Sequence, residues 1–177
     1  EEVEKSGASV RFWPQNERIS ERAFGQGRTM FQGAVALNLD AKGRLAVPTR
    51  FRAEIDEVCK GAVIVTVHPH RCLLIYPEPV WGPIRDEVLA RSSLDEASAK
   101  VRRLFVGNAN PEQLDSAGRL LVAPELRMRA QLDKKVWLVG QGDHFELWSD
   151  VRWEQQQEES FAMDLSQLPP GLEKLRL

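Results

Sequence analysis

Apolar and polar residues alternate in short segments of the chain, and this alternation predicts β-strands. In the first segment, residues 31–39, the side chains of Val35, Leu37 and Leu39 fall on one face. Further apolar runs predict strands at residues 63–67, 72–76, 136–139 and 145–148. Segments with helical periodicity lie between these strands, so we expect a mixed α+β fold.

Apolar residues at helical spacing predict the connecting helices. They indicate helices at residues 49–58, around residues 81–88 and at residues 124–132. A further helix is predicted to begin with a capping box, with Ser93 at the N-cap and Glu96 three residues later. This helix would carry Leu94 on its apolar face and end at Gly107.

One polar turn occurs twice in the chain. Asp40-Ala-Lys-Gly-Arg-Leu-Ala-Val-Pro48 is followed, 75 residues later, by Asp115-Ser-Ala-Gly-Arg-Leu-Leu-Val-Ala-Pro124. Apolar residues flank both turns, which predicts two β-hairpins with an arginine at the start of the second strand. The second copy has one extra residue before its proline, which we expect to form a β-bulge or a loosened strand end.

The repetition extends beyond the turns. Residues 72–81 and 144–153 both contain an aromatic residue with a tryptophan five positions later. Two units of about 45 residues are therefore predicted, joined by two helices. Because so small a unit buries little core alone, we expect the two units to share one barrel.

Composition narrows the classes of function. The 177 residues are 42% hydrophobic and carry a formal net charge of −2, so any contact with nucleic acid has to come from a local cationic patch. Two cysteines fit a reducing compartment. Apolar runs are far shorter than the roughly 20 residues of a membrane span, and the acidic start lacks a signal-peptide pattern. We expect a cytoplasmic protein without a membrane partner.

The two ends of the chain differ from the rest. Residues 1–29 predict a mostly disordered arm, helical around residues 16–24, and Met30 could be the natural start. An arm that binds DNA is the alternative, although five glutamates balance its cations. Residues 154–177 predict a C-terminal tail that is acidic at first and loosely amphipathic from residue 165, consistent with a role in assembly.

Together, the two Asp-x-x-x-Arg turns resemble those of the MraZ family, bacterial transcriptional regulators of the AbrB-like swapped-hairpin class. The resemblance runs from Met30 to Leu177 and also rests on Leu-Leu-Ile-Tyr-Pro at residues 73–77, Arg-Leu-Phe-Val-Gly at 103–107, Val-Gly-Gln at 139–141 and Phe-Glu-Leu-Trp at 145–148. It implies an α+β fold of two pseudo-repeated swapped-hairpin β-barrel units with connecting helices. The arm at residues 1–29 is a departure from the family pattern.

The resemblance also implies the organisation and the function. We expect SpoVT-AbrB-like units at residues 34–81 and 110–153, with a helical linker at residues 82–109. The family implies a sequence-specific DNA-binding regulator that acts, as a homo-oligomeric ring, on direct repeats upstream of the division and cell-wall gene cluster. The protein would be associated with the nucleoid, have no enzymatic activity, and need neither a cofactor nor a small-molecule substrate.

Cations near the turns are the candidate contacts to double-stranded DNA, because arginine can bond guanine O6 and N7 and cations at hairpin tips can match successive phosphates. The candidate DNA-binding residues are Lys42, Arg44, Arg50 and Arg119. Asp40, Gly43, Asp115 and Gly118 are predicted to brace the turns. Residues 40–52 hold four cations and one acid, against three cations and two acids in residues 115–129, so the first hairpin is the better candidate.

Other interpretations stay open at this point. Each arginine could pair with its aspartate only to brace the turn, and the chain could be an AbrB-like antitoxin or protein-interaction module. His68, His70 and Cys72, with His144, could hold a metal, although Pro69 favours a turn there. Asp40 and Asp115 could form a catalytic pair, but neither has a partner group nearby in the sequence. Two further groups were assigned structural roles. We expect a solvated or inter-subunit face from Lys100, Arg102 and Arg103, and core or protomer-interface packing from Tyr76, Trp81, Trp148 and Trp153.

Overall fold

Eight strands and five helices follow one another in the computed structural model, which describes residues 31–92 and 94–163. In chain order they are β1 (Phe31–Asn38), β2 (Arg44–Ala46), α1 (Thr49–Cys59), β3 (Ala62–Val67), β4 (Leu73–Pro77), α2 (Glu78–Ala90), α3 (Glu96–Phe105), β5 (Asn110–Gln113), β6 (Arg119–Leu121), α4 (Pro124–Arg129), β7 (Lys135–Gly142), β8 (Phe145–Ser149) and α5 (Asp150–Phe161). The predicted arm at residues 1–29, the predicted N-cap Ser93 and the segment 165–177 lie outside the described residues.

Six strands form one antiparallel sheet in the order β1-β7-β8-β4-β3-β5. β2 and β6 form a separate two-stranded ladder. The predicted α+β class is therefore confirmed. The six-stranded sheet is not closed, since β1 and β5 are its two edges.

The strands of the two repeats pair with each other. β1 pairs with β7, β5 pairs with β3, and β2 pairs with β6. Strands of the first predicted hairpin meet only beside the turn, through the Leu39–Leu45 bridge and a hydrogen bond from Asp40 N to Arg44 O. Both turns form where they were predicted, but the prediction of self-contained hairpins was wrong, because each strand finds its main partner in the other repeat.

The spacing of 75 residues continues without a break into the helices. Pro48 is the N-cap of α1, with φ −55° and ψ 142°, and Ala123 is the N-cap of α4, with φ −54° and ψ 143°. Val47 N donates to Gly118 O, and Val122 N donates to Gly43 O. The predicted bulge was therefore wrong: the second proline has only moved from the N-cap to the first helical position, where a missing N–H costs no helical bond.

The core lies on both faces of the sheet. One face packs against β2, β6, α1 and α4 in a cluster that includes Phe31, Phe51 and Phe145. On the other face, Tyr76 and Trp81 pack with α2 and α3, while Trp148 packs against the partly buried Trp153 of α5. The predicted burial of these aromatic residues is confirmed.

The start of α3 differs from the prediction. Its N-cap is Asp95, whose carboxylate accepts a hydrogen bond from Ser98 N at 2.7 Å, and the helix begins at Glu96. Leu94 therefore precedes the helix and is 96% exposed instead of packing on its apolar face. An aspartate caps a helix as well as a serine does, so two N-caps were in competition.

Cations on α3 have structural partners. Lys100 pairs with Glu96 at 2.7 Å, and Arg102 donates to the carbonyl oxygens of Leu89 and Arg91 at the end of α2. At the other end of the chain, residues 154–161, predicted as part of the tail, continue α5.

Candidate nucleic-acid interface

The first turn is organised by the carboxylate of Asp40. Its Oδ1 accepts hydrogen bonds from the backbone N–H groups of Lys42 and Arg44, both at 2.9 Å. Its Oδ2 accepts from Nε and Nη2 of the Arg44 side chain, both at 2.7 Å. Hydrogen bonds from the backbone and then from the side chain of Arg44 lower the pKa of Asp40 to about 2. The turn and its arginine are therefore held by one ionised group.

The second turn repeats this geometry. Oδ1 of Asp115 accepts from the N–H groups of Ala117 and Arg119 at 2.9 Å, and Oδ2 accepts from Arg119 Nε at 2.8 Å. The backbone hydrogen bond from Arg119 is the main cause that lowers the pKa of Asp115. Two separate parts of the sequence thus build the same brace.

The β2–β6 ladder brings the two arginines onto one surface. Leu45 lies opposite Leu120, and both side chains are buried in the core. Because side chains alternate along a strand, the residues on either side of these leucines face outward. Arg44 lies opposite Leu121 and Arg119 lies opposite Ala46, so the two arginines are diagonal neighbours, with Cα atoms roughly 7–8 Å apart.

The other predicted contacts differ in position. Lys42 is exposed in the first turn, where the second turn has Ala117. Arg50 is exposed in the first turn of α1, and its guanidinium lies 4.4 Å from the centre of the Phe51 ring and beside Gly33 of β1. The structure therefore groups Lys42 with Arg44 and Arg119, whereas Arg50 is directed toward β1.

Two arginines that were not predicted as site residues lie against the turns. Arg52 of α1 packs on Gly118, and Arg127 of α4 packs on Gly43. Both glycines have positive φ, 78° for Gly43 and 71° for Gly118, which side chains with a Cβ rarely adopt. The sequence contained a signal for this pair, because Arg52 and Arg127 are separated by the same 75 residues as the two turns.

A cleft of about 450 Å³ opens beside the first turn. It is lined by Leu39, Asp40, Ala41, Arg127, Leu132, Asp133 and Lys134. Two cations and two carboxylates share its wall, so its charges balance and it does not have the composition of an anion pocket.

The alternative metal site does not have a suitable arrangement. His68 and His70 lie in the turn between β3 and β4 with their rings 4.6 Å apart, while His144 stacks on Tyr76 and bonds Asp143. Cys72 is buried, and desolvation raises the pKa of its thiol. Within residues 31–92 and 94–163, no group of three or more His, Cys, Asp or Glu side chains could hold a metal ion.

Comparison with known proteins identifies the family. Two consecutive segments, residues 30–104 and 105–170, match the family model described as "MraZ protein, putative antitoxin-like". The chain belongs to the MraZ family. It is similar to "Transcriptional regulator MraZ" of Dechloromonas aromatica (strain RCB), with 53% identity over 148 residues that span 84% of this chain and 100% of that protein.

Other MraZ proteins are similar over the same extent. The protein of the same name from Aromatoleum aromaticum (strain DSM 19018 / LMG 30748 / EbN1) is 55% identical over 149 residues, and that of Nitrosomonas eutropha (strain DSM 101675 / C91 / Nm57) is 43% identical over 148 residues. In both cases the match covers 84% of this chain and the whole of the relative. The resemblance inferred from the two turns is thus confirmed. MraZ proteins are named regulators of transcription, a non-enzymatic family, in agreement with the prediction that the chain is not an enzyme.

The structure also bears on membrane association. None of the helices in the described part of the chain has the length and apolar character needed to cross a bilayer.

Proposed function

We propose that this chain regulates transcription by binding DNA sequence-specifically, with Arg44 and Arg119 as the central pair of contacts. The observation that carries this proposal is their common position on the outward face of the β2–β6 ladder. Each is held by the aspartate four residues earlier, in the same geometry. A repeated pair of oriented cations is a surface suited to a polyanion with a regular repeat.

The aspartates support recognition as well as turn formation. Asp40 occupies Nε and Nη2 of Arg44, and a guanidinium has five N–H donors, so further donors stay available for a base edge or a phosphate. Because the side chain is already oriented, less conformational entropy is lost when DNA binds. The bracing and DNA-binding interpretations of the two arginines are therefore compatible.

Additional cations favour the first turn. Lys42 would add a phosphate contact at the tip, and Arg50 would contact the backbone of the duplex from the start of α1. The corresponding residues of the second repeat are Ala117 and Glu125, which cannot do so. We expect the first repeat to contribute more of the salt-dependent affinity.

The finer architecture follows the family pattern. The exchange of strands between the repeats supports two swapped-hairpin units that share one barrel, at residues 34–81 and 110–153, with the linker at residues 82–109. In this proposal the protomers form a closed homo-oligomeric ring in the cytoplasm, associated with the nucleoid. The ring binds direct repeats upstream of the division and cell-wall gene cluster, and linked weak contacts give high overall affinity.

Binding to a labelled tandem-repeat duplex at several salt concentrations tests this proposal. Arg44→Ala and Arg119→Ala each remove one oriented guanidinium. We expect each to weaken binding by about 5- to 150-fold, the range for loss of a specific arginine–base contact. Arg85→Ala is the matched control, because Arg85 is an exposed arginine on α2 that pairs only with its neighbour Asp86 among the contacts seen in the described residues.

Unchanged binding by a folded Arg44→Ala, Arg119→Ala double variant would move the DNA site elsewhere. The family description also names an antitoxin-like character. If the unsubstituted chain bound none of several candidate repeats even at low salt, the protein-interaction function would be favoured instead.

A further inference from the structure

Arg52 and Arg127 hold equivalent positions in the two repeats, yet each lies against the turn of the other repeat. A methyl group built on Gly118 would come within 2.0 Å of Arg52 Cδ, and one built on Gly43 within 2.6 Å of Arg127 Cζ. Only glycine leaves room for this approach. Each turn therefore rests on an arginine from a helix that begins 75 residues before or after it.

Hydrogen bonds fix the two arginines in this position. Arg52 donates from Nη1 to the carbonyl oxygen of Ala117 at 3.1 Å and from Nη2 to Oγ1 of Thr49 at 3.0 Å. Arg127 donates from Nε to the carbonyl oxygen of Val122 at 3.1 Å, at the end of its own ladder strand. The first arginine thus bonds across to the opposite turn, whereas the second bonds at the base of its own helix and contacts the opposite turn by packing.

The backbone crosses at the same points. Val47 N donates to Gly118 O at 3.1 Å, and Val122 N donates to Gly43 O at 3.0 Å. Each turn glycine therefore receives a backbone hydrogen bond and an arginine from the other repeat. The two turns cannot move independently without breaking these contacts.

We infer that Arg52 and Arg127 are positioning residues that lock the two turns into one rigid recognition unit. This inference rests on the proposed function, because what the turns carry is the pair Arg44 and Arg119. Arginine suits the role, since its planar guanidinium can lie flat beneath a glycine and still donate sideways, whereas the lysine ammonium is a compact, strongly hydrated point charge. In this mechanism Arg52 and Arg127 set the spacing and orientation of the contacts and do not themselves contact a base.

The crossed arrangement predicts where a substitution acts. Arg52→Lys keeps the charge but loses the planar fork. We expect it to raise hydrogen–deuterium exchange by about tenfold in the turn at residues 115–119, comparable to the loss of about one hydrogen bond. The turn at residues 40–44 should be unchanged. Arg127→Lys should produce the reverse, with faster exchange at residues 40–44.

Mass spectrometry of peptides that cover the two turns and strands β7 and β8 measures this. The strand peptides report whether the variants keep their folded core. Arg129→Lys is the matched control, because Arg129 lies on α4 with Arg127 but is exposed. Faster exchange only in the turn of the substituted repeat, in neither turn, or equally in the Arg129→Lys variant would overturn the inference.

DNA binding gives a second, separable result. The probes are a duplex that the unsubstituted chain selects from a randomised library and a scrambled duplex of equal length. A positioning role predicts that Arg52→Lys loses about tenfold in affinity for the selected duplex and nothing for the scrambled one. The salt dependence on the scrambled duplex should also stay unchanged.

A direct phosphate contact predicts a different pattern. Arg52→Lys would then keep most of its affinity, and Arg52→Ala would lower the salt slope by about 0.9 on both duplexes, which would contradict a positioning role. If the unsubstituted chain selected no sequence at all, the proposed function would fail, whereas the exchange experiment would still decide whether the arginines couple the turns.

Discussion

Asp40→Asn separates two roles that a carboxylate can have beside a DNA-binding arginine. Removing a negative charge next to a polyanion should strengthen binding if Coulomb energy alone mattered. The geometry predicts the opposite. One oxygen of Asp40 accepts two backbone N–H groups, and the other accepts two donors from Arg44. An asparagine has only one acceptor oxygen, so its NH₂ group would face either the turn or the guanidinium.

The more favourable choice keeps the oxygen on the two backbone amides and releases Arg44. The freed side chain must then be ordered again each time DNA binds, and we expect the affinity to fall by about three- to tenfold as a result. The turn itself should persist, because Gly43 N still donates to Asp40 O and Asp40 N to Arg44 O. Since the pKa of Asp40 is lowered to about 2, the unsubstituted brace should be present throughout the range from pH 5 to 8.

Fluorescence anisotropy with a labelled tandem-repeat duplex at three salt concentrations provides the assay. Asp86→Asn is the matched control, because it removes the same charge from an exposed carboxylate on α2. We expect Asp86→Asn to leave affinity unchanged or to raise it slightly. Equal or tighter binding by Asp40→Asn at every salt concentration would refute the argument that the carboxylate orients Arg44.

Three further predictions concern stability, each measured by chemical unfolding. Gly140→Ala should cost about 1–3 kcal/mol, because the new methyl group would lie 2.5 Å from the backbone of β1, whereas Gly82→Ala in α2 has open space and should stabilise by about 0.5–1 kcal/mol. Thr66→Val should cost about 1–2 kcal/mol, since it removes a buried hydrogen bond of 2.6 Å to Phe105 O. Desolvation lowers the pKa of His68 to about 4, so the unfolded chain binds its proton first and stability should fall between about pH 6.5 and pH 4. After allowance for partial exposure the fall should be about 1–2 kcal/mol, and a His68→Gln variant that kept the full pH dependence would contradict it.

Local structure was predictable wherever neighbouring residues decide it. An Asp at the first position and a Gly with positive φ at the fourth determine each turn, and both signals stand in the sequence. Apolar spacing also predicted the buried face of α1, where Phe51 and Ile55 are 2% exposed. These features depend on a few adjacent residues, so no knowledge of the partner strand was needed.

Position along the chain was harder to predict where two solutions have similar energy. Ser93 and Asp95 are both good N-caps two residues apart, and only the packing of α3 against its neighbours selects the second. The second proline was aligned with the first although its better match is Thr49, because a proline is accepted both at the N-cap and at the next position. Alignment by backbone role, instead of by residue identity, keeps the spacing at 75.

Strand partners could not be predicted, for a reason inherent in the repeat. Alternation of apolar residues determines which face of a strand is buried, but it does not determine which strand lies beside it. When two repeats carry the same turn, pairing within a repeat and pairing between repeats satisfy the same local pattern. The exchange seen in the structure is therefore a property of the whole chain.

This exchange is what makes a pair of contacts out of two single ones. If each hairpin had closed on itself, β2 would lie beside β1 and the two arginines would belong to separate tips. Pairing β2 with β6 instead centres the ladder on Leu45 and Leu120, which are themselves related by the repeat. The operation that relates the repeats then maps Arg44 onto Arg119 on the same face. A second copy of the turn therefore creates a symmetric pair of cations that a single copy could not form, and it does so with three-residue strands that would be too short to hold the turns apart on their own.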